Sequence, residues 1–215
     1  MPSRRRFPID PEAYFPAIVA AIGLVIGYAF GWWILWVPCL IALVLLLGFF
    51  RDPPRRVPQI PGAVVSPADG KVTAITVNQD PEAGPAGGPV ISIFLSVLDV
   101  HINRAPYAGR ITGLRYRPGD FLNALNVDSG KRNEANWIFM ECGRHHLTVR
   151  QIAGLIARRI VCRVRKGDRV RRGQRIGLIR FGSRTELYLP PEARVQVEVG
   201  QRVSGGRTVV AYLPE

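Results

Sequence analysis

The chain has 215 residues, of which 47% are hydrophobic and 21% charged, close to the average of globular domains and unlike a disordered chain. Its formal charge is +13, from 29 Lys and Arg against 16 Asp and Glu, which implies an acidic partner, either nucleic acid or an anionic membrane surface.

The apolar residues are unevenly placed. From Tyr14 to Phe50 runs a stretch of 37 residues without a charge. A single helix of that length would be ~55 Å long, too much for one bilayer crossing. Pro38 and the Gly31-Trp32-Trp33 cluster divide it, so a tight helical hairpin is predicted over about Phe15–Trp33 and Leu35–Phe50. Arg4, Arg5 and Arg6 precede the run and Arg51, Arg55 and Arg56 follow it. Positive charge on both flanks places both ends on the cytoplasmic side, with Trp32, Trp33 and Trp36 at headgroup level by the turn. A cleaved signal peptide fits poorly, because the run far exceeds a ~7–15-residue apolar core and no small-residue cleavage site follows. Residues 1–50 are thus read as a hairpin anchoring the chain to the cell membrane. The segment 51–62, rich in Pro and Arg, reads as a linker at headgroup level.

Residues 51–215 carry nearly all the charge, +12 of the +13. Short β-type runs follow, punctuated by Gly and Pro: Gly70–Val77, Val90–Leu95, Trp137–Glu141, Leu147–Ile152, Arg159–Val164 and Arg175–Phe181. A surface loop spans Asp80–Gly88, and one short helix is predicted over Gln151–Arg158. The pattern G-x-x-V-x-x-G-x-x-[IV] occurs at Gly167–Ile176 and again at Gly200–Val209, 33 residues on, with glycines placed for turns around a short strand. The expected fold is mainly β (α+β): a barrel-sandwich-like domain over 63–215 behind the N-terminal hairpin. Cys39, Cys142 and Cys162 show no CxxC spacing, so they are read as small buried hydrophobes, with neither a metal site nor a disulfide framework.

Candidate chemistry is sparse. His101 follows an apolar strand, where a strand end presents a side chain to a site; His145 and His146 read as an exposed turn. Asp69 precedes a glycine, as turn aspartates do. Asp128 and Glu134 lie in an Asn-rich loop, 123–136, suited either to a polar headgroup or to no ligand at all. Ser183 follows Gly182, which permits unusual backbone geometry at its peptide carbonyl.

Several blocks occur together in one order: Phe49-Phe50-Arg51-Asp52-Pro53 after the apolar run, Ser66-Pro67-Ala68-Asp69-Gly70, Asp99-Val100-His101-Ile102-Asn103-Arg104-Ala105-Pro106, Gln151-Ile152-Ala153-Gly154 and Phe181-Gly182-Ser183-Arg184. In these blocks, across about residues 45–190, the chain resembles the short form of the phosphatidylserine decarboxylases. The resemblance implies self-cleavage at 182/183, Ser183 attacking the carbonyl of Gly182, into a large chain 1–182 and a small chain 183–215 of 33 residues. It implies a covalent pyruvoyl group made from Ser183 and no metal. Phosphatidylserine would bind it as a Schiff base, lose carbon dioxide and leave as phosphatidylethanolamine. By the same resemblance Asp69 and His101 support Ser183 in the manner of a serine-protease triad, and His101 protonates the product. Longer members have a second histidine near the position of Arg104 and read LGST where this chain reads FGSR. Arg184, with Asn103 and Arg104, is a candidate for holding the substrate's carboxylate or phosphate. The partners implied are the lipid substrate, an anionic membrane surface, the two chains of the protein itself and a second copy, since members of the family often pair into dimers. The basic cluster Arg163, Arg165, Lys166, Arg169, Arg171, Arg172 and Arg175 is either a lipid-facing surface or simply solvated.

Two other classes compete with this reading. A membrane-tethered adaptor built on a barrel-sandwich domain would carry a long heptad-bearing helical hairpin, which the sequence lacks. A nucleic-acid module would interleave aromatics with the basic residues, and none sits in such a motif. Within the family, a decarboxylase of a related seryl phospholipid such as archaetidylserine has the same headgroup chemistry.

Overall fold

The structure is a computed structural model that describes residues 8–120, 132–154, 159–180 and 182–214. It divides into two compact units, one ending at Pro54 and one beginning at Arg55.

In the first unit a short 3-10 turn, Pro11–Ala13, is capped by Asp10, whose side chain accepts from the Glu12 amide at 3.0 Å. Helix α1 (Tyr14–Ala29) follows, then a turn with Gly31 at φ +68, then α2 (Trp33–Phe49). The predicted hairpin is present, but Pro38 lies inside α2 and the chain reverses at Gly31 alone. Small residues let the two helices approach closely. A methyl group at Gly27 would meet the Trp36 backbone nitrogen at 2.8 Å, and one at Gly23 would meet the Cys39 sulfur at 2.7 Å. The outward side chains are apolar, with Phe15, Val25, Ile34 and Leu45 all more than half exposed. The 19 residues Pro11–Ala29 are long and apolar enough to cross a membrane, whereas α2 has 17.

The second unit is β-rich, as expected. Eight strands form one antiparallel sheet curled into a half-barrel, in the order β13 (Arg202–Val203), β2 (Gly70–Val77), β3 (Pro89–Leu95), β11 (Ser183–Tyr188), β7 (His145–Ile152), β6 (Ala135–Cys142), β5 (Gly109–Arg117) and β9 (Arg169–Val170). Two three-stranded sheets complete it: β4 (Ile102–Arg104), β10 (Arg175–Ile179) and β8 (Ile160–Cys162); and β1 (Ala63–Val65), β14 (Val209–Tyr212) and β12 (Arg194–Val195). The core lies on one face of the large sheet, where Ile91, Ile93 and Leu95 of β3, Leu187 of β11, Val149 of β7 and Ile138 and Met140 of β6 are fully buried. Their spacing of two is the strand period, which brings every second side chain to the core.

The internal repeat corresponds to equivalent backbone. Gly167 and Gly200 have φ +98 and +95, and Gly173 and Gly206 have +74 and +73, left-handed values that favour glycine. Each copy therefore contributes a short strand and a longer one, β9 with β10 and β13 with β14.

Three expectations change. Residues 55–62 pack on the β unit: Arg172 donates to the Pro58 and Ile60 carbonyls at 3.1 and 2.8 Å, and Arg55 pairs with Asp69. His145 is buried rather than exposed, its ring between Glu192 (2.9 Å) and the Pro214 carbonyl (3.0 Å), because the β6–β7 hairpin turns two residues earlier, at Gly143 (φ +63) and Arg144, and His145 already pairs with Cys142. Gln151 and Ile152 end strand β7 instead of starting a helix, and residues 155–158 of the predicted helix lie outside the described residues, as does Asp128. Cys142 is buried, which with the neighbouring Glu141 pushes its thiol up to about 12 and leaves it unreactive; Cys39 and Cys162 are half-buried and unpaired in disulfides.

Candidate active site

Ser183 opens β11, in the middle of the large sheet, paired across to Leu95 at the end of β3. It is fully buried, and its Oγ has no hydrogen-bond partner among the described residues. A buried hydroxyl of this kind forgoes roughly one to several kcal/mol of hydrogen bonding. Gly182, just before it, has φ +54. Among the described residues other than its chain neighbours, a Cβ at Gly182 would meet only Val97 Cγ2, at 4.0 Å, so these residues leave the 182–183 peptide open on that side.

His101 immediately precedes β4 and is fully buried. Its Nδ1 lies 2.9 Å from the Asp99 carbonyl oxygen. A carbonyl only accepts, so Nδ1 carries the hydrogen and, in the neutral ring, Nε2 holds the lone pair. The backbone ties His101 to the neighbouring strand: the amide of Ile179, the last residue of β10 and four residues before Ser183, donates to the His101 carbonyl at 3.3 Å.

Side chains dock β4 on the large sheet. Asn136 donates to Gln151 Oε1, Gln151 donates to Asn103 Oδ1, and Asn103 donates to Thr185 Oγ1, each at 2.9 Å. Asn103 and Thr185 lie two residues beyond His101 and Ser183, so this ladder holds the histidine's strand to the serine's. Gly177, opposite Asn103, makes room: a Cβ there would lie 2.7 Å from the Gln151 amide nitrogen. Asn103 is thus a buried part of the scaffold. Gln151 was legible only as part of a sequence block, and Thr185 carried no signal at all.

Asp69 does not touch His101. One of its carboxylate oxygens accepts from Arg55 at 2.6 Å and the other from the Gly205 amide at 2.7 Å. At Nδ1 the His101 ring is held by the Asp99 backbone carbonyl. The Asp99 carboxylate in turn accepts from the Ser96 amide (2.9 Å), the Ser96 hydroxyl (2.7 Å) and Arg202 (3.0 Å). Burial raises the Asp99 carboxyl, but the Ser96 and Arg202 hydrogen bonds outweigh it and hold the group below its ordinary value.

Arg104 is buried with its guanidinium on the Gly173 carbonyl at 3.1 Å, and its Cδ fills the space beside Gly206. Arg184 leaves the opposite face of β11 from Ser183, because successive strand residues alternate. There its Nε lies 3.2 Å from Glu186, which also takes Arg150 at 3.1 Å and the Tyr188 hydroxyl at 2.8 Å. Arg150 and Arg115 stack over Trp137 at 4.4 and 4.3 Å on that same side of the sheet. Arg184 thus lies on the face of β11 away from Ser183, in an ion pair with Glu186. Among the described residues no three His, Cys, Asp or Glu side chains converge as metal ligands would.

The sequence profile of phosphatidylserine decarboxylase matches residues 43–211. The chain belongs to the phosphatidylserine decarboxylase family. Proteins named phosphatidylserine decarboxylase proenzyme are similar to it over nearly its whole length. That of Burkholderia mallei is 44% identical, over 94% of this chain and 93% of the relative. The one from Nitrosomonas eutropha is 45% identical over 95% of each, and the one from Symbiobacterium thermophilum 42% identical over 99% and 100%.

Proposed function

We propose that the chain is a precursor that splits itself between Gly182 and Ser183 and then decarboxylates phosphatidylserine to phosphatidylethanolamine at a membrane surface. The observation that carries this reading is the buried Ser183 hydroxyl, without a hydrogen-bond partner among the described residues, beside a glycine at φ +54. Family membership and the relatives' name, proenzyme, support it.

Ser183 Oγ attacks the Gly182 carbonyl carbon, and His101 Nε2 takes the hydroxyl proton. The Asp99 carbonyl on Nδ1–H keeps the ring in the tautomer that has a base at Nε2. The amide becomes an ester to Ser183. Loss of the Ser183 Cα proton then breaks the Cβ–Oγ bond, freeing the large chain with Gly182 as its carboxylate. Dehydroalanine remains at the head of the small chain, and water replaces its nitrogen, released as ammonia, to leave a pyruvoyl group. The site fits that group: Ser183 is buried, the Gly182 side is open, and no charged side chain of β11 shares its face. A pyruvoyl group held there would supply a ketone able to take up the substrate amine and to draw electrons from the carbon that loses carbon dioxide. His101 Nε2 returns a proton to the carbon that lost its carboxylate. Asp69 braces the neighbouring loop through Arg55 and Gly205, and α1 with α2 anchors the protein in the cell membrane with the β unit on the cytoplasmic side.

Denaturing mass spectrometry of the purified protein tests this. Two fragments, 1–182 and 183–215, are expected, the smaller with a blocked N-terminus, and Ser183→Ala should give one inactive chain. Release of carbon dioxide from phosphatidylserine by Ser183→Ala would exclude Ser183 as the precursor.

A further inference from the structure

The β unit exposes an apolar tip beside its buried site. Leu98 is 81% exposed and Val97 46%, in the turn that joins β3 to His101. Among the described residues, no large apolar side chain of the β unit is more exposed than Leu98. Folding buries little of Leu98 and only about half of Val97, and water disfavours the exposed remainder.

The turn lies against the reaction centre. Leu95, the last residue of β3, is the register partner of Ser183, and Val97 Cγ2 is the nearest atom to the Cβ position of Gly182, at 4.0 Å. It is also braced. The Asp99 amide donates to the Ser96 carbonyl at 2.9 Å, while the Asp99 carboxylate accepts from the Ser96 amide, the Ser96 hydroxyl and Arg202. A turn whose polar groups are met from within can enter a region of low polarity without leaving them unsatisfied. Beside it stand two exposed cations, Arg202 (side chain 72% exposed) and Lys71, register partners on β13 and β2, with Lys71 opposite Phe94 on β3. An apolar tip with a cationic collar matches the boundary between acyl chains and anionic headgroups.

We infer that the Ser96–Asp99 turn is a membrane-surface finger: Val97 and Leu98 enter the bilayer at headgroup depth, next to Lys71 and Arg202, and bring the Gly182–Ser183 site to the lipid. The inference rests on the proposed lipid substrate. A headgroup still attached to the bilayer travels only a short way out, whereas Ser183 is fully buried, so the mouth of the site must meet the membrane.

The test uses the full chain with Cys39 and Cys162 replaced by Ala, Cys142 being buried. Leu98→Cys carries an environment-sensitive fluorophore in vesicles of phosphatidylcholine with and without phosphatidylglycerol. Val77→Cys is the control, 63% exposed at the far end of β2, roughly 20 Å from the Gly70 end. The Leu98 label should shift to the blue, be quenched by lipids bearing a nitroxide near the headgroup, and resist aqueous iodide, more so with phosphatidylglycerol. The Val77 label should stay open to iodide. Equal iodide access at both positions overturns the inference. So does a blue shift without lipid that grows with protein concentration, which would assign the face to a second copy of the chain. In turnover, Leu98→Ser should lose about tenfold on phosphatidylserine in vesicles, by the loss of one inserted apolar side chain, and nothing on a dispersed short-chain phosphatidylserine. Equal loss on both substrates would count against the finger. A wild-type chain inactive on both substrates would sink the proposed reaction, while the label would still decide where the turn sits.

Discussion

Replacing Thr185 with Val removes one hydroxyl and keeps the shape of the side chain. That hydroxyl accepts from Asn103 Nδ2 at 2.9 Å, and both residues are fully buried. The substitution leaves an amide donor without an acceptor in a place water does not reach. A stranded buried donor costs about 1–3 kcal/mol. With a urea slope of about 1–3 kcal/mol/M for a domain of this kind, the midpoint should fall by roughly 1 M at unchanged slope. The assay is urea unfolding in detergent in a Ser183→Ala background, so that wild type and variant are compared as single uncleaved chains. Asn103→Ala in the same background, alone and combined with Thr185→Val, completes a double-mutant cycle. The pair should be less destabilised than the sum of the singles, by about 0.5–3 kcal/mol, since removing the donor removes the penalty. In the Ser183 chain, Thr185→Val should also slow self-cleavage, because the ladder that docks β4 on β11 holds His101 to the serine's strand. A Thr185→Val chain as stable as its parent, with additive singles and unchanged cleavage, would refute the reasoning.

Three further outcomes are expected. Asp69→Asn should destabilise the β unit and slow cleavage while leaving the pH dependence of cleavage in place, since Asp69 braces Arg55 and Gly205; a displaced pH profile would tie it to the His101 ring instead. Arg184→Ala should leave KM for phosphatidylserine unchanged and lower stability by about 1–3 kcal/mol, since it leaves the buried Glu186 carboxylate without one of its partners, read by the same unfolding assay. The folded-state pKa of Asp99 lies below its ordinary 3.8, so its contribution to stability is present above that value and lost as pH falls through the folded pKa. Asp99→Asn should therefore be less stable at neutral pH and lose less on acidification below 3.8, as followed by pH-dependent unfolding.

The local pattern was legible where chemistry is local. An uncharged run of 37 residues, too long for one bilayer crossing and broken by Gly31, read as a hairpin and is one, and the six β runs read from alternation and punctuation all fall on strands. The glycines of the 33-residue repeat adopt matching left-handed angles because the residue type itself permits them. Relations across the sheets were not legible. His145 read as part of an exposed turn and is buried because Glu192 and the carbonyl of Pro214, far along the chain, come to its ring.

The residue types and their spacing determined the two-part architecture and the few groups able to do chemistry, Ser183, His101 and Asp69 among them. The tertiary structure decided which of these meet. Strand alternation set Arg184 on the far face from Ser183, and the pairing of β4 with β10 delivered Asn103 to Thr185 across 82 positions of sequence. It also gave Asp69 to Arg55 and Gly205, and left the His101 ring to a backbone carbonyl two residues away. A carboxylate's partner depends on what the folded chain brings within about 3 Å, a distance on which sequence spacing is silent once residues lie on different strands.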